Sequence, residues 1–190
     1  MIYLIRHGDV YNPDNILYGR IPGYGLSEKG QEDLKRTGEF LKDKKIAAIY
    51  ASPMLRARQS AEIVKRAINV PLTIADDLME TRTDYQGRPF SDFDEIQSEI
   101  YLKPLSETDE TVEQIANRMY AFFEQVKEKH ENNAVAIISH GDPIMALRSK
   151  IEGRKLELEA VRFKPYVKKG EVWEISEQDG NILVRSVFLP

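Results

Sequence analysis

Short apolar runs alternate with longer amphipathic stretches along this chain. Residues 1–6 are apolar almost throughout and predict a buried strand. Glycines and prolines crowd residues 9–26, which reads as a long loop. Ser27 offers an N-cap for a helix to about Lys44, with Leu34, Thr37, Phe40 and Leu41 on its inner face. Ile46 to Ala51 predicts a second buried strand. Ser52-Pro53 then supplies a cap with proline at the first helical position, opening a helix to about Ile68. Leu72 to Ala75 predicts a third strand. Residues 76–107 show no sustained period beyond a short helix near Asp92–Leu102. From Thr108 or Asp109 a long helix is expected to about His130, lined by Val112, Ile115, Met119, Phe122, Phe123 and Val126. Ala134 to Ile138 is a further strand, and a helix follows Pro143. The tail reads as a hairpin, Val172–Ile175 and Ile182–Leu189 about an Asp179-Gly180 turn.

Buried strands alternating with amphipathic helices predict an α/β layered fold with a largely parallel central sheet. At 190 residues, without a repeat, low-complexity tract or Pro/Gly/Ser linker, one domain spanning 1–190 is expected, with an insertion around 76–107. Hydrophobic residues at 42% suffice for a core without covalent staples, and the cysteine count of 0 excludes a disulfide scaffold, a thiolate nucleophile and a Cys-ligated metal. A net charge of −4 with no long basic run argues against nucleic-acid partners, whose binding rests on neutralising many phosphates. No apolar run approaches the roughly 20 residues that cross a bilayer, so no membrane partner and a cytoplasmic location are expected. Oligomeric state is left open, since the C-terminal hairpin could join the sheet edge or a second chain.

In sheets of this kind ligands sit beyond the carboxyl ends of the strands, and the chemistry-bearing residues gather there. Two of the three histidines share one local setting: Ile5 leads into Arg6-His7-Gly8-Asp9, and Ile138 leads into Ser139-His140-Gly141-Asp142. A glycine after each lets the backbone turn and come close to a ligand. The second strand leads to Arg56 one turn into its helix, and the third is followed by Asp76, Asp77 and Glu80. Parallel strands would bring Arg6, His7, Arg56, Glu80 and His140 to one rim. Each residue also has a plain structural reading. Arg6 could pair with Asp9 or Glu80, Arg56 and Glu80 could be solvated, and Asp9 and Asp142 could satisfy nearby backbone N–H groups. His130, among Lys127, Glu128, Lys129 and Glu131, reads as a solvated helix end. Taken together, two arginines, two imidazoles and a carboxyl group suit phosphoryl chemistry. The guanidinium groups would hold a phosphate dianion. Nearby cations would keep an imidazole neutral for in-line attack, and a protonated carboxyl group could protonate the leaving alkoxide.

These segments, taken in order, resemble the histidine phosphatase superfamily. Leu4-Ile5-Arg6-His7-Gly8 resembles its Arg-His-Gly signature, and Leu26-Ser27-Glu28-Lys29-Gly30 its first-helix entry. Tyr50-Ala51-Ser52-Pro53-Met54-Leu55-Arg56-Ala57 resembles its Ser-Pro-x-x-Arg-Ala block, and Ile138-Ser139-His140-Gly141 its second histidine block. The resemblance is clear over 1–145 and implies a phosphoglycerate mutase-like three-layer sandwich. It implies His7 as the nucleophile that becomes phosphohistidine, Arg6, Arg56 and His140 as the phosphate pocket, and Glu80 as the proton donor, with His140 also in the catalytic set. Asn12 and Arg20 are further substrate contacts on the same basis. Departures are visible. Asp9-Val10 stands where Glu and then Ser or Thr are common, Asn12 lies one place early because Pro13 occupies the familiar asparagine position, and Ser60 replaces a common threonine. Asp9 is the alternative donor to Glu80.

The family holds hydrolases and mutases. Between 81 and 109 the cations are Arg82, Arg88 and Lys103, against Asp84, Asp92, Asp94, Glu95, Glu99, Glu107 and Asp109. As a roof over the site this segment would repel a free polyanion. Hydrolysis of a small phosphomonoester is therefore expected, with Tyr11, Tyr18, Tyr24, Tyr85 and Phe90 as candidate surface for the leaving group. A mutase primed by 2,3-bisphosphoglycerate and a catalytically weak phosphate-binding protein are the alternatives. A metallohydrolase built on the two histidines is disfavoured because two arginines would repel the cation. Neither a metal nor a cofactor is expected.

Overall fold

The computed structural model describes residues 1–92, 99–178 and 180–190. A six-stranded sheet carries the fold: β1 (Ile2–Arg6), β2 (Ile46–Ala51), β3 (Leu72–Ile74), β4 (Ala134–Ser139), β5 (Val172–Gln178) and β6 (Asn181–Phe188). The spatial order is β3-β2-β4-β1-β5-β6. The first four are mutually parallel where they pair, and the C-terminal hairpin adds antiparallel to β1. The main helices are α1 (Glu28–Leu41), α2 (Leu55–Ile68), α3 (Val112–Lys129) and α4 (Gly141–Ile151).

Strand alternation assigns the two faces. Tyr3 and Ile5 of β1 point into a core with Leu34, Leu41, Ala57 and Val64 of α1 and α2. Ile2 and Leu4 point the other way, onto Ile115, Met119, Phe123 and Leu147 of α3 and α4. Both faces of the central strands are therefore covered, which is why these strands read as unbroken apolar runs. Among the described residues no helix is long and apolar enough to cross a membrane.

Several helix starts differ from the sequence expectation. Ser27 does cap α1, its side chain accepting from the Gly30 N–H. Helix α2 opens at Leu55, with Met54 rather than Ser52 as N-cap. Helix α3 is capped by Thr111 rather than by Thr108 or Asp109, because Thr111 and Gln114 form a reciprocal capping box. Helix α4 begins before Pro143, at Gly141, with His140 at the N-cap. The helix expected near Asp92–Leu102 falls largely on 93–98, outside the described residues; a 3₁₀ turn, Phe90–Asp92, and a short helix, Glu99–Leu102, flank them. Asp179 of the expected turn is likewise outside the described residues. His130 stands at the end of α3, as expected, and is half-buried; its Nε2 also lies 2.8 Å from the Tyr50 hydroxyl.

The β1–β4 register sets the functional geometry. Arg6 stands beside Ser139 and Ile5 beside Ile138, so the next residues, His7 and His140, leave the sheet as neighbours. The loop after β1 is seated on α1, and a Cβ at Gly30 would overlap the Asp9 carbonyl oxygen. Gly30→Ala should therefore destabilise the fold by about 1–3 kcal/mol through overpacking, although alanine favours a helix by roughly 1 kcal/mol over glycine. Urea unfolding measures this, and an unchanged or raised midpoint would show that the contact yields freely.

Candidate active site

The strand ends bring five predicted side chains together. The rings of His7 and His140 lie edge-on with centroids 5.1 Å apart, and both are buried. The His7 Nδ1–H donates to the Gly8 carbonyl at 2.8 Å, since a carbonyl can only accept. That leaves Nε2 as the lone-pair nitrogen, and it accepts from Arg56 Nε at 3.3 Å. Arg56, fully buried, also donates from Nη2 to the Gly19 carbonyl at 2.8 Å and lies over the Tyr18 ring. Arg6 donates from Nη1 to the Val167 carbonyl at 2.9 Å. His140 Nε2 is 2.8 Å from the Ser52 hydroxyl. Ser52, expected as a helix cap, instead holds this ring.

Glu80 lies across the pocket. Its Oε2 is 3.7 Å from His140 Nδ1 and 3.9 Å from Arg56 Nη2. Three polar atoms around this point, Arg6 Nε, Arg56 Nη1 and His140 Nδ1, are buried without a hydrogen-bond partner among the described residues. Unpaired buried donors are costly, and several of them on neighbouring side chains suit an anion with several oxygens.

The electrostatics follow from this packing. Burial, then the Arg56 and Arg6 charges, hold His7 well below the usual histidine pKa. Burial and Arg56 do the same for His140. Burial pushes the Glu80 carboxyl up, against the pull of Arg56, and the Asp142 charge adds to the rise. Asp9 behaves oppositely. Burial alone would raise it, but Lys169 Nζ at 2.5 Å and the Ser27 hydroxyl at 2.7 Å bring it below its ordinary value. An ionised carboxylate tied to a lysine is poorly suited to donate a proton.

Two predicted contacts lie elsewhere. The Asn12 amide closes its own loop, donating to the Ile16 carbonyl and accepting from the Ile16 N–H. Arg20 donates from Nε to the Glu80 carbonyl at 2.7 Å and from Nη2 to Glu110 Oε2 at 2.8 Å. Glu110 also binds Arg118 and accepts from the Arg82 N–H, and Arg118 reaches the Asp77 carbonyl. This ion cluster clamps the backbone on both sides of Glu80. Nothing local in the sequence pointed to Glu110 or Arg118, which lie far along the chain on and before α3. The hydroxyl of Ser60, kept where threonine is common, accepts from the Gly8 N–H at 3.1 Å and so fixes the His7 loop.

His7, Glu80 and His140 each place a possible ligand atom within 4.8 Å of the others. A cation held there would sit against the Arg56 guanidinium, which contacts both His7 and Glu80. The donor set therefore suits an anion better than a metal ion.

Beside this pocket a cleft of about 340 Å³ opens, with Arg6 and Glu80 at its inner end. Tyr18, Phe90, Tyr101 and Tyr166 supply its aromatic walls. Of the aromatics expected there, Tyr24 stacks on Tyr18 rather than lining the cleft, Tyr85 is buried, and Tyr11 is exposed. The described part of 81–109 that lines the cleft is Thr81, Thr83, Phe90, Ile100 and Tyr101, not the acidic residues. Asp109 instead accepts from the Asp84 and Leu105 N–H groups.

A family model described as the histidine phosphatase superfamily (branch 1) matches residues 2–185. The chain is 30% identical over 165 residues to the uncharacterized phosphatase PhoE of Bacillus subtilis, covering 85% of this chain and 82% of that protein. It is 31% identical over 166 residues to the putative phosphoserine phosphatase 2 of Hydrogenobacter thermophilus, covering 82% and 80%. Among solved structures, YhfR of Bacillus stearothermophilus superposes with a TM-score of 0.83 at 26% identity, covering 97% of this chain and 95% of that one.

Both pocket histidines bind protons less readily folded than unfolded. The unfolded chain therefore takes up more protons once pH drops below about 6.5. The stability these rings contribute is complete above that pH and declines as pH falls, by up to about 1.4 kcal/mol per pH unit for each ring. Urea unfolding from about pH 7.5 to pH 5 should show this decline. His140→Asn should flatten it, and an unaltered slope would mean that His140 titrates normally.

Proposed function

Since the chain belongs to the histidine phosphatase superfamily, we propose that it hydrolyses a phosphomonoester through a phosphohistidine intermediate on His7. One observation carries this reading: the Gly8 carbonyl accepts a hydrogen bond from His7 Nδ1–H, so the Nε2 lone pair faces the buried guanidinium of Arg56. A nucleophile is thereby held, neutral and oriented, beside the group suited to bind its target. The phosphatase names of the relatives support hydrolysis as the outcome.

In the first half-reaction the substrate phosphoryl group lies against Arg6, Arg56 and His140. Their unpaired N–H groups stabilise the equatorial oxygens as charge spreads over them. His7 Nε2 forms a bond to phosphorus while the bond to the ester oxygen breaks. Glu80, raised toward its protonated form, gives its proton to the departing oxygen, so an alcohol leaves rather than an alkoxide. In the second half-reaction the Glu80 carboxylate takes a proton from water. The resulting hydroxide attacks phosphorus, the P–N bond breaks, and inorganic phosphate and neutral His7 are restored. The Glu110 cluster keeps Glu80 at its distance from His140 in both halves.

His7→Ala should lower turnover by on the order of 10³-fold or more, and substrate should place an acid-labile phosphate on the unaltered protein at His7 alone. Label retained by the variant would refute the assignment. Glu80→Gln should slow alkyl phosphates by about 10²–10⁴-fold while sparing aryl phosphates, whose phenolate leaves without help. Equal losses on both would place the donor elsewhere. Activity should survive a strong chelator, and its loss would revive a metal mechanism. Release of inorganic phosphate without added 2,3-bisphosphoglycerate separates hydrolysis from a primed mutase.

A further inference from the structure

The polar groups of the leaving-group cleft are largely engaged with one another. Asp142 receives the Tyr101 hydroxyl on Oδ2 at 2.6 Å, and on Oδ1 the Tyr166 hydroxyl at 2.7 Å and Arg162 Nη1 at 2.8 Å. Tyr101 also meets the Thr81 hydroxyl at 3.0 Å. Thr83 accepts from the Tyr85 N–H. Burial and the Asp142 charge push both phenols well above their usual pKa, so they stay protonated and keep donating. The two tyrosines are thus pinned by their hydroxyls and line the cleft, with Arg6 over the Tyr166 ring and Arg162 over the Tyr101 ring. Leu17, Ile100 and Phe90 extend this apolar wall, with exposed Lys164 as a cation at the rim.

A sugar or polyol entering this cleft would lose water from several hydroxyls and, Arg6 and Lys164 apart, would meet among the described residues mostly groups already engaged in hydrogen bonds. A flat or apolar body would lose little hydration and gain ring contact. Resting on the phosphatase reading above, we propose that the alcohol released is apolar or aromatic rather than a sugar or polyol, with Asp142 setting this preference by holding Tyr101 and Tyr166.

The test compares kcat/KM for 2-phenylethyl phosphate with that for glycerol 3-phosphate and glucose 6-phosphate, all primary alkyl esters that need the same protonation. The ring-bearing ester should be favoured by about tenfold or more. Phe90→Ala, with its melting temperature checked against the parent, should shrink that ratio several-fold by removing one wall. Hydrolysis of all three esters with no preference, or with the polyols favoured, would overturn the proposal and leave the phosphatase reading intact. Failure to hydrolyse any of them would end that reading and the proposal with it.

Discussion

A guanidinium group with no access to water lies at the centre of this molecule. Arg56 is fully buried, and it is met within the protein by the Glu80 carboxylate at 3.9 Å, the Gly19 carbonyl, His7 Nε2 and the Tyr18 ring. Burying a cation under such loose pairing is unfavourable unless the site is built for an anion that arrives from solution. Other features answer to that charge. It depresses His7 and His140, opposes the rise of Glu80, and sits on the Tyr18 ring that begins the cleft. The covered sheet beneath holds it in place, since α2 packs Ala57, Ala61 and Val64 against the strands while Arg56 points past their ends.

Sheet register converts sequence into chemistry here. His7 and His140 are far apart along the chain and meet because Arg6 stands beside Ser139 in adjacent parallel strands. A slip of one residue would send one ring to the opposite face. The backbone confirms this pairing beyond the strands, for the His7 N–H donates to the Ser139 carbonyl at 3.0 Å and the Ser52 N–H to the Ile138 carbonyl at 3.0 Å. Three strand ends are thus tied at one level, bringing Ser52, His7 and His140 together before any side chain is considered.

The layered fold and the meeting of His7, His140, Arg6, Arg56 and Glu80 were legible because both depend on local patterns. Apolar runs mark buried strands, and chemistry in such folds collects beyond their ends. The partners that hold those residues were not legible. Ser52 looks like a helix cap when its neighbour is proline, yet its hydroxyl is taken by an imidazole that only folding brings near. Arg20 has the charge of a phosphate ligand, but here its guanidinium is engaged by Glu110 and the Glu80 carbonyl. The start of α3 was misplaced because Thr108, Asp109 and Thr111 are all competent caps, and only the Thr111–Gln114 pair closes reciprocally. The acidity of 81–109 suggested a charged roof, whereas its described acids include Asp109, which is engaged with backbone N–H groups.

The polar groups around the pocket divide into two sets. Asp9, Asp142 and Glu110 are carboxylates close to the reaction pocket, and each is matched by donors from the protein itself. Arg6, Arg56 and His140 keep polar atoms without a hydrogen-bond partner among the described residues. In the proposed reaction the phosphoryl group would meet donors left unpaired among the described residues, while a stray cation would meet carboxylates already matched. Glu80 is the exception among the carboxylates, with one oxygen held by the Thr81 N–H and the other near His140 and Arg56 without a short bond. A carboxyl group must retain that freedom if it is to release a proton to one oxygen and then take one from another, so its looseness is a requirement of the chemistry rather than a defect of packing.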